Sequence, residues 1–122
     1  MSSTILTFLF LLFAKHAICD LAIQTLFPSN KTQYFNKAAH LHYFHHAVGT
    51  WFAGLIIDVR FAFAIAIIDY LAHWHIDFSK SLIRVEFDLH NPDFKFWLLQ
   101  SADQILHYLT YVLLASYAIT WL

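Results

Sequence analysis

The chain has 122 residues, 60% of them hydrophobic and only 12% charged, with a formal net charge of −1. Soluble domains average roughly 45–50% apolar and about 25% charged residues, so this composition argues for a chain that lives in lipid. No basic run or basic stripe appears, which excludes a nucleic-acid surface, and the single cysteine, Cys19, excludes an internal disulfide or a thiolate zinc site, leaving histidine and carboxylate as the metal-binding groups.

In chain order, residues 4–27 form the first expected span. Its apolar start could serve as a signal-peptide core, but no basic residue precedes it and Lys15, His16 and Asp20 follow closely, so it reads as a retained helix. Pro28, Ser29 and Asn30 break the block. The second and third spans, 38–57 and 59–77, meet at Asp58 across a joint of a residue or two, as a tight helical hairpin or one bent segment. Over residues 78–93, Ile83, Val85, Phe87 and Leu89 alternate with Arg84, Glu86, Asp88 and His90, a period of two that predicts a short extended or interfacial segment. Asn91, Pro92 and Asp93 then open the fourth span, 94–122.

The expected architecture is therefore all-α: a single membrane domain over 1–122, polytopic, a four-helix transmembrane bundle with a short interfacial segment between helices 3 and 4. Lys31, Lys37, Lys80, Arg84 and Lys95 lie in the first and third connections, with Arg60 alone on the opposite side. The excess of positive residues places those connections in the cytoplasm and both termini outside, in a bacterial inner membrane.

The polar residues fall into a pattern. His16 and Asp20, His42 and His46, Asp69, His73 and Asp77, and Asp103 and His107 are spaced four apart, so each span carries a polar pair on one face. With the assigned topology all of them lie within about 18 Å of the cytoplasmic ends of their helices. A charge at the bilayer centre costs on the order of 2.5–3.5 kcal/mol, so these side chains should converge on an interior or a wet cavity. Histidine nitrogens and aspartate oxygens are good ligands for Zn, Mn or Fe, and bundles build such sites from side chains on facing helices. The candidate metal ligands are His16, Asp20, His46, His73, Asp77, Asp103 and His107, with Asp77, Lys80 and Asp103 as catalytic candidates. His40, His45, His75 and His90 read as interfacial or partner-bound, Gln24 and Gln104 as ordinary interhelical hydrogen-bonding groups beside the acids, and the tryptophans and tyrosines as interfacial belts and packing.

The order His16-x3-Asp20-x3-Gln24, Asn30-Lys31-Thr32, His42-Tyr43-Phe44-His45-His46, His73-x3-Asp77-x2-Lys80 and Asp103-Gln104-x2-His107 resembles the small integral-membrane family of bacteria and their phages catalogued as domain of unknown function 3307. The resemblance spans nearly the whole chain. It implies a conserved-type His/Asp site with one histidine from the second helix, which here is His42, His45 or His46, and it implies no reaction.

Two functional expectations follow. One is a membrane-embedded metal-dependent hydrolase acting on a lipid-linked or phosphate-bearing substrate, in which Lys80 neutralises developing charge. The other is a non-enzymatic phage or bacterial membrane protein that forms a homo-oligomer and binds or conducts ions or protons. A haem-binding bundle using His46 and His107 is the third option.

Overall fold

The computed structural model describes residues 2–122. Four helices follow one another: α1 (Ser2–Ala17), α2 (Lys37–Gly54), α3 (Val59–Glu86) and α4 (Phe94–Ile119), and no strand occurs among the described residues. Two segments, Ser3–Leu26 and Val59–Glu86, are long and apolar enough to cross a membrane. Neighbouring helices run antiparallel, α1 packing against α2 and α4, and α3 against α2 and α4.

The first span departs from a plain helix. After Ala17 the chain widens into a π-helical turn, Ile18–Ala22, and then tightens into a 3₁₀ turn, Ile23–Leu26. Turns of the π type are rare and often sit at functional positions; this one carries Asp20.

Side-chain caps fix the starts of α2 and α3. Asn36 Oδ1 accepts from Ala39 N at 2.9 Å, and Asp58 Oδ1 accepts from Arg60 N at 2.7 Å, each satisfying a donor the first helical turn leaves free. The hydrogen bonds of the Arg60 side chain and backbone also hold the Asp58 carboxyl below the usual carboxylate range. The α2–α3 joint is a hairpin, longer than expected, because α2 stops at Gly54 and residues 55–57 form turns before the Asp58 cap. A Cβ on Gly54 would lie 2.8 Å from Ala62 Cα, so glycine here lets the two helices approach closely.

The segment after residue 77 corrects an expectation. Residues 78–93 do not form an extended interfacial strip: α3 continues through Glu86, and only a short turn, with Asp88 at φ 52°, connects it to α4. Residues 78–86 contain no glycine or proline and include Lys80, Leu82 and Arg84, all good helix formers, so a few alternating positions do not stop a helix already under way.

The bundle is divided along its length. At one end Phe8, Leu12, Ala53, Phe61, Ile65, Tyr111, Leu114, Ala115 and Ala118 form a dry apolar core. Toward the other end the interior is polar, with Lys15, His16, His42, His46, Asp69, His73, Asp77, Asp103 and His107 all buried. Antiparallel packing explains the division: the second halves of α1 and α3 and the first halves of α2 and α4 share that end.

Candidate metal centre

Two aspartates from different elements form the middle of the polar half. Asp20 from the π turn presents Oδ1 to three imidazoles, at 2.7 Å from His46 Nε2, 3.2 Å from His42 Nε2 and 3.8 Å from His73 Nε2. Its Oδ2 faces His16 Nε2 at 3.1 Å. Asp77 from α3 repeats the arrangement: Oδ2 lies 3.4 Å from His73 Nε2 and 3.6 Å from His42 Nε2, and Oδ1 lies 3.0 Å from His107 Nε2. The rings of His46 and His73 stack at 3.7 Å between centroids, and those of His73 and His107 at 4.1 Å.

The hydrogen-bond inventory separates these histidines. His16 Nδ1 meets the Tyr111 hydroxyl at 2.6 Å and its Nε2 meets Gln104 Oε1 at 3.0 Å. His46 Nδ1 lies 3.0 Å from Lys15 Nζ. His42 and His73, by contrast, are both buried and neither nitrogen of either ring makes a hydrogen bond. Buried polar atoms are normally paired, so the unpaired Nε2 atoms of His42 and His73, both facing the carboxylates of Asp20 and Asp77, suit an ion held between them. Two groups of ligand atoms lie close enough to share an ion, Asp20 with His42, His46 and His73, and His73 with Asp77 and His107.

All of the ligands expected from sequence, His16, Asp20, His46, His73, Asp77, Asp103 and His107, converge here. Asp103 stands at the edge: Oδ2 accepts from Gln104 Nε2 at 3.0 Å, while Oδ1, 3.4 Å from His107 Nε2, is buried without a hydrogen bond. Lys80 reaches Asp103 Oδ2 at 3.5 Å. Of the three candidates in the second helix, His42 and His46 join the centre, whereas His45 is half-buried against Phe27. Gln24 and Gln104 both touch the site, Gln24 by accepting a hydrogen bond from Lys31.

Several participants have no spacing signal. Lys31, from the loop before α2, donates to Asp77 Oδ2 at 2.8 Å. That loop is fastened by Tyr34, whose hydroxyl donates to His75 Nε2 at 2.7 Å and whose carbonyl accepts from Trp74 Nε1 and His40 Nε2 at 3.0 and 2.9 Å. His40 and His75 thus hold the loop and take no part in the centre, while His90 pairs with Asp88 at the surface. Deeper in the bundle, Lys15 makes a 2.7 Å ion pair with Asp69, which also accepts from Thr50. Lys15 Nζ stands 4.6 Å from the centre of the Tyr111 ring, and Gly49 leaves room for its stem, since a Cβ there would lie 3.0 Å from Lys15 Cβ.

A cavity of about 790 Å³ opens beside the centre. Asp20, Asp77 and Asp103 supply its carboxylates and His16 an imidazole, Lys31 and Lys80 supply two cations, and Gln24, Gln100 and Gln104 supply amides. Phe13, Leu21, Trp97 and Tyr108 line an apolar part of the wall. The volume lies within the range of about 300–1,000 Å³ usual for small-molecule sites.

Among known proteins, no family model, no curated protein and no solved structure matches this chain.

Proposed function

We propose that this chain is a four-span membrane protein whose polar half holds a divalent metal and hydrolyses a phosphate-bearing, lipid-linked substrate. The single observation that carries the metal is the pair of buried, wholly unpaired imidazoles, His42 and His73, set against the carboxylates of Asp20 and Asp77.

The distribution of side chains supports the membrane. The outer surface of the bundle exposes Leu6, Phe10, Phe52, Phe63, Ile67, Ile105 and Leu113, while acids, histidines and a lysine fill the interior. Water would favour the reverse, and lipid tails favour this. In the bilayer the same interior polarity becomes affordable only when the groups pair or bind an ion.

The cavity supports the substrate class. Lys31 and Lys80 suit an anion next to the carboxylates, and the apolar wall of Phe13, Leu21, Trp97 and Tyr108 suits a hydrocarbon chain on the same ligand. A divalent ion in this centre supplies Lewis acidity, lowering the pKa of a water to about 7 and polarising a phosphoryl oxygen. The protein's own residues do the rest. The Asp103 carboxylate, which lines the cavity, accepts the proton of the attacking water as its oxygen bonds to phosphorus and the P–O bond to the lipid breaks, and returns that proton to the departing lipid oxygen. Lys80, loosely held by Asp103 at 3.5 Å, turns to the phosphate and balances its charge. Gln104 keeps Asp103 oriented through a 3.0 Å hydrogen bond.

The test uses protein purified in mild detergent, loaded with Zn, Mn or Fe, and incubated with phosphatidic acid or a polyprenyl diphosphate while inorganic phosphate is measured. Metal-dependent release that Asp103→Asn abolishes with the ion still bound is expected. No release from fully loaded protein on any such substrate, or release that ignores the metal, refutes the hydrolase.

A further inference from the structure

The seven imidazole and carboxylate groups at the centre do not all have the same role, and their separations sort them. A tetrahedral ion with bonds of about 2.0–2.2 Å sets neighbouring ligand atoms about 3.3–3.6 Å apart. The four nitrogen–oxygen separations among His42, His73, Asp20 and Asp77 are 3.2, 3.6, 3.8 and 3.4 Å, clustered around that edge. His46 to Asp20, at 2.7 Å, and His107 to Asp77, at 3.0 Å, are hydrogen-bond lengths instead.

Proton placement points the same way. Lys15 is an ammonium held by the Asp69 carboxylate and the Tyr111 ring face, so it can only donate, and His46 Nδ1 must accept from it. His46 therefore carries its proton on Nε2, aimed at Asp20 Oδ1. The amide of Gln104 is fixed in turn, because its nitrogen donates to Asp103 and its oxygen is left facing His16. His16 Nε2, confronted by that oxygen and by Asp20 Oδ2, is a donor as well. Each aspartate then has one outer oxygen capped by an imidazole, Asp20 Oδ2 by His16 and Asp77 Oδ1 by His107. Each inner oxygen takes one further donor, His46 for Asp20 and Lys31 for Asp77.

We infer that a single divalent ion is bound by His42, His73, Asp20 and Asp77, with a fifth position left for water on the side of the cavity that Asp20 and Asp77 line, and that His16, His46 and His107 are positioning residues that orient the two carboxylates through Nε2–H donors. The inference rests on the metal reading above and refines it. Lys15 and Asp69, a turn deeper, belong to the same device, since the ammonium sets which nitrogen of His46 holds the proton.

Glutamine reproduces a histidine that accepts at one end and donates at the other, and it is a poor metal ligand. The experiment loads detergent-purified protein with Co²⁺ and records both affinity, by chelator competition, and the visible absorption spectrum. His16→Gln, His46→Gln and His107→Gln should keep the band positions and shift affinity less than about tenfold, whereas loss of the hydrogen bond to a carboxylate altogether, as in His46→Ala, should cost about 10–100-fold. His42→Gln and His73→Gln should abolish the bands. X-ray absorption of the wild type, which needs no variant to fold, should count two imidazoles on the ion. Three or more imidazoles, or a spectrum changed as much by His46→Gln as by His73→Gln, overturns the assignment and leaves the metal centre standing. Failure of the wild type to bind Co²⁺ at all overturns both.

Discussion

Replacing Lys15 or Asp69 singly should be far more damaging than replacing both. The pair is 2.7 Å long, with Lys15 at 8% and Asp69 at 1% exposure, so water cannot solvate the survivor of a single substitution. Removing one partner of such a pair costs about 3–5 kcal/mol, so Lys15→Met and Asp69→Leu together would sum to roughly 8 kcal/mol if they were independent. In the double variant no charge is stranded. The apolar replacement is itself neutral or stabilising by about 1–4 kcal/mol, and the losses left are the hydrogen bonds of Thr50 and of His46 Nδ1, about 1–3 kcal/mol each. The net should be about 2 kcal/mol, a coupling of roughly 6 kcal/mol between the two sites. Equilibrium unfolding in mixed mild-detergent and SDS micelles, followed by far-UV circular dichroism, measures all three variants. A double variant whose cost equals the sum of the singles to within about 0.5 kcal/mol would show that the ammonium and the carboxylate do not depend on each other.

Further substitutions test other parts of the account. Gly54→Ala places a methyl 2.8 Å from Ala62 Cα, and the separation of α2 and α3 it forces should cost about 1–3 kcal/mol in the same unfolding assay. Asn36→Ala removes the α2 cap and should cost about 1 kcal/mol, with no change in bound metal. In the phosphate-release assay, Asp103→Asn should lower kcat by about 10²–10⁴-fold with KM little changed, the signature of a lost proton acceptor.

The sequence carried much of the site because its signal is local. Spacings of four in α1 and its π turn, α2, α3 and α4 bring His16 with Asp20, His42 with His46, His73 with Asp77 and Asp103 with His107 to common faces, and the shared depth predicted that the faces meet. They do. What stayed hidden depends on contacts distant in sequence. Lys15 sits beside His16 and looks like the end of an apolar block, yet its partner Asp69 is 54 residues away. A lysine and an aspartate each lacking a local opposite charge in the middle of apolar spans was the available hint. Lys31 depends on a loop whose course is set by Tyr34, Trp74 and His75, and no spacing announces that fold. The π turn at Ile18–Ala22 has neither glycine nor proline to mark it, and it arises where the chain brings Asp20 toward His42 and His46. The extension of α3 to Glu86 was masked by a few alternating residues whose period had too short a run to oppose helix propagation.

Elemental analysis of the wild type purified in mild detergent without chelators, beside His42→Ala and Asp77→Asn, tests the centre most directly. The account predicts on the order of one Zn, Mn or Fe per chain in the wild type, lost in both variants while their helical content persists. A folded wild type that carries no divalent metal and takes up none on dialysis against it would contradict the metal centre and, with it, the hydrolase.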